Sequence, residues 1–172
     1  MPNRAEPDKL PDVALQDTVR YQEHLFRLML HHDDRALRVL SIYGAIIGAL
    51  LTAGFALNQA KALGLYTLIF MVATGGTLAI GCAFAAYAGW SADIFLPGRK
   101  PDFWKWALEN RQNVRSTVTA YVDQAAESIA QNERIANAAA KSLGRSYLCG
   151  VLAPLVGVIV PFLAYAARTF IP

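Results

Sequence analysis

Charged side chains are scarce in this sequence and absent from three long stretches of it. Asp, Glu, Lys and Arg make up 17% of the 172 residues, and hydrophobic residues make up 55%. The charge-free windows are 39–60, 62–92 and 146–167. Because about 20 residues of helix cross the apolar core of a bilayer, each window is long enough to cross once. Buried helices of a soluble bundle would each need a charged face, which these windows lack. We therefore predict an all-α membrane protein with three transmembrane helices, TM1 (39–60), TM2 (62–92) and TM3 (146–167).

The predicted spans contain no Asp, Glu, Lys, Arg or His, and the sequence contains no catalytic motif. Proton-coupled transporters and intramembrane proteases need ionisable groups at membrane depth. A nucleophile elbow, a P-loop, H-E-x-x-H and paired cysteines are all missing. A small transporter therefore ranks low, and an enzyme ranks lower still. We predict that the chain is not an enzyme and uses no cofactor.

Cysteine and histidine are also few. The two cysteines, Cys82 and Cys149, lie inside apolar windows, and the three histidines lie elsewhere in the sequence. Two cysteines alone cannot complete a structural zinc site, so we interpret them as small packing residues. The run 31–34 (His-His-Asp-Asp) is suggestive, but consecutive helical residues point in different directions and cannot converge on one ion. No metal site is predicted.

The basic residues predict the orientation of the spans. Loops on the cytoplasmic side of a membrane carry an excess of Lys and Arg close to the span ends. One side of the predicted membrane has Arg35, Arg38, Arg99, Lys100, Lys105 and Arg145, and the other has Lys61 and Arg168. We expect an inner-membrane, multi-pass protein with a cytoplasmic amino terminus and an outward carboxyl terminus. The net charge of +3 is too mild and dispersed for binding a nucleic-acid polymer.

The remaining segments are predicted to be cytoplasmic. Residues 1–11 contain three prolines and are predicted to be a disordered leader, and the single membrane domain then covers 12–172. A helix over 12–38 should continue into TM1. After TM2, the Pro97–Gly98 pair should break the chain before an amphipathic helix over 101–145. Phe103, Trp104 and Trp106 beside basic residues indicate an interfacial anchor at its start.

One stripe of the 101–145 helix has the spacing of a heptad seam. Its members recur at alternating steps of four and three, and they are Val118, Val122, Ala125, Ile129, Asn132, Ala136, Ala139 and Leu143. The stripe is rich in alanine, so helices joined by it can approach closely. It either packs on the chain's own amino-terminal helix or joins two subunits. Asn132 within the stripe is predicted to fix register or oligomeric state, at some cost in stability.

Small residues and prolines mark the spans themselves. Gly44 and Gly48 form a G-x-x-x-G pair in TM1, and the Thr77/Gly81 and Ala85/Gly89 pairs repeat that spacing in TM2. Such pairs let helix backbones approach closely, so we predict that these residues support helix packing or oligomerisation in the bilayer. Pro154 and Pro161 predict a kinked TM3, which serves as a gate or is simply bent.

The order of parts resembles a group of small bacterial antiphage membrane effectors. Two motifs carry the resemblance. The first is Asp33-Asp34-Arg35-Ala36 just before TM1, followed inside TM1 by Ser41–Ala45. The second leads into TM3 and consists of Asn132–Ile135 and then Lys141–Arg145, in which Lys141 and Leu143 are the family-like residues. These features resemble the Pycsar-type transmembrane effectors and their SLATT-like relatives, which place a membrane hairpin before a long cytoplasmic helix. The resemblance implies an effector that perturbs the membrane when a nucleotide messenger appears. The chain lacks a separate cyclic-nucleotide-binding domain, so a messenger would bind the cytoplasmic helices or a partner.

Two functions remain open from the sequence. The first is an effector that oligomerises and perturbs or gates the inner membrane, with the lipid bilayer and copies of itself as partners. The second is a non-conducting scaffold or accessory subunit, which recruits a cytoplasmic protein through the 101–145 helix. If the chain is such an effector, a cyclic nucleotide is a candidate ligand.

Overall fold

The computed structural model describes residues 10–90, 94–96 and 101–170, and within these ranges it contains four helices and no strand. Helix α1 is Leu10–Gln59, α2 is Leu65–Ala88, α3 is Pro101–Glu109 and α4 is Val114–Phe170. Three of them, α1, α2 and α4, contain segments that are long and apolar enough to cross a membrane. The predicted all-α class with three spanning helices is consistent with this architecture. Residues 1–9, the Pro97–Gly98 break, Arg99 and Lys100 lie outside the described ranges.

Helix α1 confirms that the amino-terminal helix continues without interruption into the first apolar window. It begins at Leu10, two residues before the predicted start, so the last two residues of the predicted leader 1–11 belong to the helix. It ends in a turn in which the amide of Lys61 donates to the carbonyl of Asn58 and that of Ala62 to Leu57. Lys61 has a φ of 52°, which is the left-handed conformation that glycine usually adopts at the end of a helix. Helix α2 then covers a shorter part of the second window, from Leu65 to Ala88.

The prediction of one helix over 101–145 is wrong. The short helix α3 ends at Glu109, and a left-handed Arg111, with a φ of 48°, closes it through the same pair of backbone hydrogen bonds seen after α1. Asn113 then caps α4, because its side-chain oxygen accepts the amide of Arg115 at 2.9 Å. From Val114 onward, the second half of the predicted cytoplasmic helix and TM3 are one continuous helix.

The chain divides into two compact units, to each of which α1 and α4 contribute. The first, here called the polar unit, comprises the described residues of 1–31 and 91–137. Its core contains Leu25 and Met29 of α1 against Ala136 of α4, with Ile129 packed beside them. Helix α3 belongs to this unit and buries Ala107.

The second unit, here called the apolar unit, comprises the described residues of 32–90 and 138–172. Its larger core cluster joins Val39 and Tyr43 of α1, Leu78 and Ala85 of α2, and Ala153 of α4. A smaller cluster joins Ala36, Ala88 and Leu143. All three helices that can span a membrane therefore meet inside this unit, and small residues supply many of their contacts.

Candidate helix-packing and membrane-facing site

Hydrogen bonds between side chains and backbone join the three helices of the apolar unit. The Ser146 hydroxyl donates to the carbonyl of Gly81 at 2.7 Å, and the Tyr43 hydroxyl donates to the carbonyl of Ser146 at 2.9 Å. One turn earlier, the Ser142 hydroxyl donates to the carbonyl of Phe84 at 2.7 Å. Ser142 and Ser146 are both buried. Because hydroxyls in an apolar environment need partners, these bonds fix the register of α4 against α1 and α2.

Three glycines of the apolar unit receive side chains from neighbouring helices. A Cβ built on Gly81 would lie 2.8 Å from the Tyr43 ring, and one built on Gly150 would overlap the Tyr43 hydroxyl. A Cβ on Gly157 would overlap the Thr74 hydroxyl. Each glycine is therefore required by a close approach between helices. The predicted packing residues Gly81 and Ala85 are both buried here, and Gly89 lies at the edge, where an added Cβ would meet Ala36 at 3.4 Å.

Gly44 and Gly48 take no part in this packing. Both are exposed on α1, and a Cβ added to either would have no neighbour within 4 Å among the described residues. The same side of the helix continues through Leu51 and Phe55, whose side chains are 71% and 66% exposed. The G-x-x-x-G pair of TM1 thus lies on an outward face, which we call the α1 glycine face (Gly44, Gly48, Leu51, Phe55). Its predicted role in oligomerisation stays a prediction.

An apolar groove of about 580 Å³ runs between α1 and α2 beside this face. Its floor includes Leu50, Gly54, Met71 and Gly75, and the Met71 sulfur lies 3.3 Å from where a Cβ on Gly54 would stand. Leu51 and Phe55 belong to both the groove and the α1 glycine face. The groove has no charged residue in its lining, so it presents only apolar surface.

The two prolines predicted to kink TM3 lie within the continuous helix α4. Pro154 is exposed and Pro161 is partly exposed, whereas Gly157 between them is buried. The prolines therefore lie away from the packed side of α4. The kink of TM3 and its role as a gate stay predictions.

The predicted heptad stripe of α4 is turned inward along its whole length. Its eight members are buried or partly buried, and Ile129 and Ala136 pack with Leu25 and Met29 of α1 in the polar unit. Of the two partners left open for this stripe, the one seen in the structure is the chain's own amino-terminal helix. Val118, Val122 and Ala125 follow the same inward side near the start of α4.

Asn132 does not set register between two helices in this structure. Its side chain is 2% exposed, and its amide binds the backbone of Phe95 twice. The amide nitrogen of Phe95 donates to Asn132 Oδ1 at 3.1 Å, and Asn132 Nδ2 donates to the Phe95 carbonyl at 2.8 Å. Asn132 therefore holds a segment between α2 and α3 that has no helical hydrogen bonds of its own.

The residues that carry the family resemblance lie in two kinds of environment. Ala36 and Leu143 are 1% and 3% exposed and share one cluster with Ala88. Arg35 and Lys141 are exposed, and Asp33 is partly buried. The apolar members of the two motifs thus pack together, although they are distant in sequence.

Among the described residues outside the spans, two ionisable groups have shifted pKa values. Partial burial raises the pKa of the Asp33 carboxyl, and the charge of neighbouring His32 acts in the opposite direction. In the polar unit, the Tyr21 hydroxyl donates to the Glu133 carboxylate, and this bond together with the Glu133 charge raises the pKa of Tyr21. No group of three or more His, Cys, Asp or Glu side chains converges on a metal position within the ranges that the structure describes.

The interior residues that sequence reasoning missed belong mainly to α4. Ser142, Ser146, Gly150 and Gly157 follow one face of that helix, and Tyr43 of α1 fits against it. The repeated spacing of small residues from Ser142 to Gly157 is the signal that could have identified this face. Comparisons with protein-family models, curated proteins and solved structures gave no match.

Proposed function

We propose that this chain is a membrane-embedded effector that oligomerises through the α1 glycine face and thereby perturbs or gates the inner membrane. The observation that carries the proposal is the contrast between two sets of glycines. Gly81, Gly150 and Gly157 each hold a side chain of a neighbouring helix, whereas Gly44 and Gly48 hold none from the part of the chain that the structure describes. The same residue type is thus used inside the chain for close helix contact.

Glycines on a lipid-facing helix surface are unfavourable unless a partner uses them. Glycine costs about 1 kcal/mol relative to alanine in a helix interior, and lipid gives no compensating contact. Between two helices, however, small residues allow the backbone approach that drives association in a bilayer. Most of the apolar surface of the chain is also exposed. Only 11% of the most apolar window of α1 is buried, 22% of that of α2 and 11% of that of α4. Much surface therefore remains for a second copy.

The charge distribution supports the orientation in this proposal. From the distribution of the basic residues we infer that the amino terminus and the segment between TM2 and TM3 face the cytoplasm. The polar unit would then be the part accessible to a messenger or a protein. A role in antiphage nucleotide signalling is supported by the family resemblance alone, with a cyclic nucleotide or a cytoplasmic protein as the trigger.

The alternative, a non-conducting scaffold that recruits a partner through the cytoplasmic helix, is supported less well. That function needs the stripe of α4 to be open to a partner. Ile129, Asn132 and Ala136 are instead covered within the polar unit. A scaffold would have to use another surface or displace α1.

The test is the membrane potential of bacteria that express the full chain from a tightly controlled promoter, read with a voltage-sensitive dye. The wild type is expected to depolarise the cells. The double variant Gly44→Leu/Gly48→Leu is expected not to, because two bulky side chains would hold a second copy away from α1. Both proteins must be present in the membrane at equal amounts.

The matched control is Ala49→Leu/Ala53→Leu, which places the same two leucine side chains on α1 at the same four-residue spacing. Ala49 and Ala53 are exposed residues of α1 outside the α1 glycine face. The control should depolarise as the wild type does. Equal depolarisation by the glycine variant and the wild type would contradict assembly through Gly44 and Gly48.

A further inference from the structure

Helix α4 contains two prolines, each of which follows a glycine by four residues. Proline has no amide hydrogen, so it cannot donate to the carbonyl four residues earlier in a helix. Pro154 therefore leaves the Gly150 carbonyl without its helical donor, and Pro161 does the same for Gly157. Both carbonyls belong to the apolar unit, where an unpaired polar group is costly.

The two positions are supported differently by their neighbours. At Gly150, Tyr43 of α1 lies directly against the glycine, and its hydroxyl donates to the carbonyl of Ser146 at 2.9 Å. Ser146 in turn is bonded to α2. The first proline thus lies in a part of α4 that both neighbouring helices hold in place.

At Gly157 the neighbouring hydroxyl is not used. Thr74 of α2 lies directly against the glycine and is 8% exposed, and its Oγ1 is fully buried with no hydrogen-bond partner within the described residues. The other threonine in the middle of α2, Thr77, bonds the carbonyl of Ala73 in its own helix at 2.8 Å. A buried hydroxyl without a partner is uncommon, because it loses its bonds to water and gains none.

The part of α4 beyond Pro161 is weakly held. Phe162 and Leu163 are 66% and 58% exposed. Tyr165 makes an edge-to-face contact with Tyr66 of α2, with ring centroids 5.8 Å apart. An aromatic pair of this kind is a modest contact that can open and close without unfolding the helix.

We propose that the Gly157–Pro161 step is a hinge in α4, and that the Thr74 hydroxyl is the donor that closes it. In the closed arrangement the hydroxyl donates to the Gly157 carbonyl that Pro161 leaves unpaired, and residues 162–170 change their angle to α2. In the open arrangement, which this structure shows, the hydroxyl is unbonded and Tyr165 rests on Tyr66. The hinge belongs to a single chain, so it goes beyond the proposed function and does not require assembly.

The test is a distance distribution between two spin labels on the full chain in lipid nanodiscs that each hold one labelled copy diluted with unlabelled chain, measured by double electron–electron resonance. Cys82 and Cys149 are replaced by alanine, and the labels are attached to cysteines at the exposed positions Leu68 of α2 and Leu163 of α4. The wild-type background is expected to give two distances. Pro161→Ala restores the amide donor to Gly157 and is expected to give one.

Thr74→Val is expected to change the ratio of the two distances about threefold, the weight of one hydrogen bond between membrane helices. Thr74→Ser keeps the hydroxyl and should retain the wild-type ratio. Thr77→Val and Pro154→Ala are the matched controls and should leave the distribution unchanged. A single wild-type distance, two distances that persist in Pro161→Ala, or equal effects of Thr74→Val and Thr77→Val would each overturn the hinge. None of these readouts depends on membrane depolarisation.

Discussion

Replacing Gly150 with alanine is the most direct perturbation of the packing inside the apolar unit. The new Cβ would overlap the Tyr43 hydroxyl and lie 2.8 Å from the ring carbon that carries it. Tyr43 is 8% exposed and bonded to Ser146, so its ring cannot swing into free space. The ring or the helix must therefore move.

The expected magnitude follows from three contributions. Overpacking of a filled core costs about 1–3 kcal/mol, and the lost hydrogen bond of Tyr43 costs about 0.6 kcal/mol between membrane helices. Alanine returns about 1 kcal/mol of helix propensity over glycine. We expect Gly150→Ala to lower the free energy of unfolding by roughly 0.6–2.6 kcal/mol.

The assay is unfolding of the full chain in mixed micelles on titration with sodium dodecyl sulfate, followed by circular dichroism. Gly48→Ala is the matched control, because a Cβ there meets no atom of residues 10–90, 94–96 and 101–170 within 4 Å and the propensity gain stands alone. It should leave the monomer equally stable or more stable. If Gly150→Ala is as stable as the wild type, the assigned contact between Tyr43 and α4 is wrong.

Three further substitutions test other parts of the account. Asn132→Asp replaces the amide donor with an oxygen that faces the Phe95 carbonyl, so it should lower the free energy of unfolding by about 1–3 kcal/mol. It should also speed hydrogen exchange of the Phe95 amide, and unchanged exchange would refute the two hydrogen bonds assigned between Asn132 and Phe95. Arg111→Gly relieves a left-handed backbone at an exposed position and should stabilise by about 1 kcal/mol, whereas a loss of stability would contradict the assigned turn. Asp33→Asn should raise the melting temperature at neutral pH. Burial raises the pKa of Asp33 in the folded chain, so its ionisation opposes folding as pH rises above the ordinary value of 3.8, and the benefit should vanish below it; a gain independent of pH would contradict this cause.

The spans were predictable because their signal is local. A window without charge indicates a membrane helix whatever its neighbours are. The break inside the predicted 101–145 helix was missed, because its turn contains no glycine or proline to mark it. The break between α3 and α4 is made by Arg111 in a left-handed conformation and by the cap Asn113, and neither residue type excludes a continuous helix.

The packing residues were only partly predictable, because spacing does not reveal which face of a helix is inward. The pair Gly44/Gly48 and the residues Gly150 and Gly157 all fit the small-residue pattern of close helix contact. The structure shows that the α4 glycines meet neighbours inside the chain and the α1 pair does not. That difference depends on where Tyr43 and Thr74 lie, which is a property of three helices together.

Asn132 illustrates the same limit in the polar unit. Its place in an apolar stripe predicted a role in register or oligomeric state. Its actual partner is the backbone of Phe95, 37 positions away in the sequence. No periodicity in α4 could identify that segment.

Counting subunits tests directly whether the chain assembles through the α1 glycine face. The full chain, labelled with one fluorophore per copy, would be extracted in native-membrane nanodiscs and its photobleaching steps counted. We expect several steps for the wild type and for Ala49→Leu/Ala53→Leu, and one step for Gly44→Leu/Gly48→Leu. A wild type that bleaches in one step, or a glycine variant that keeps the wild-type number of steps, would contradict assembly through the α1 glycine face.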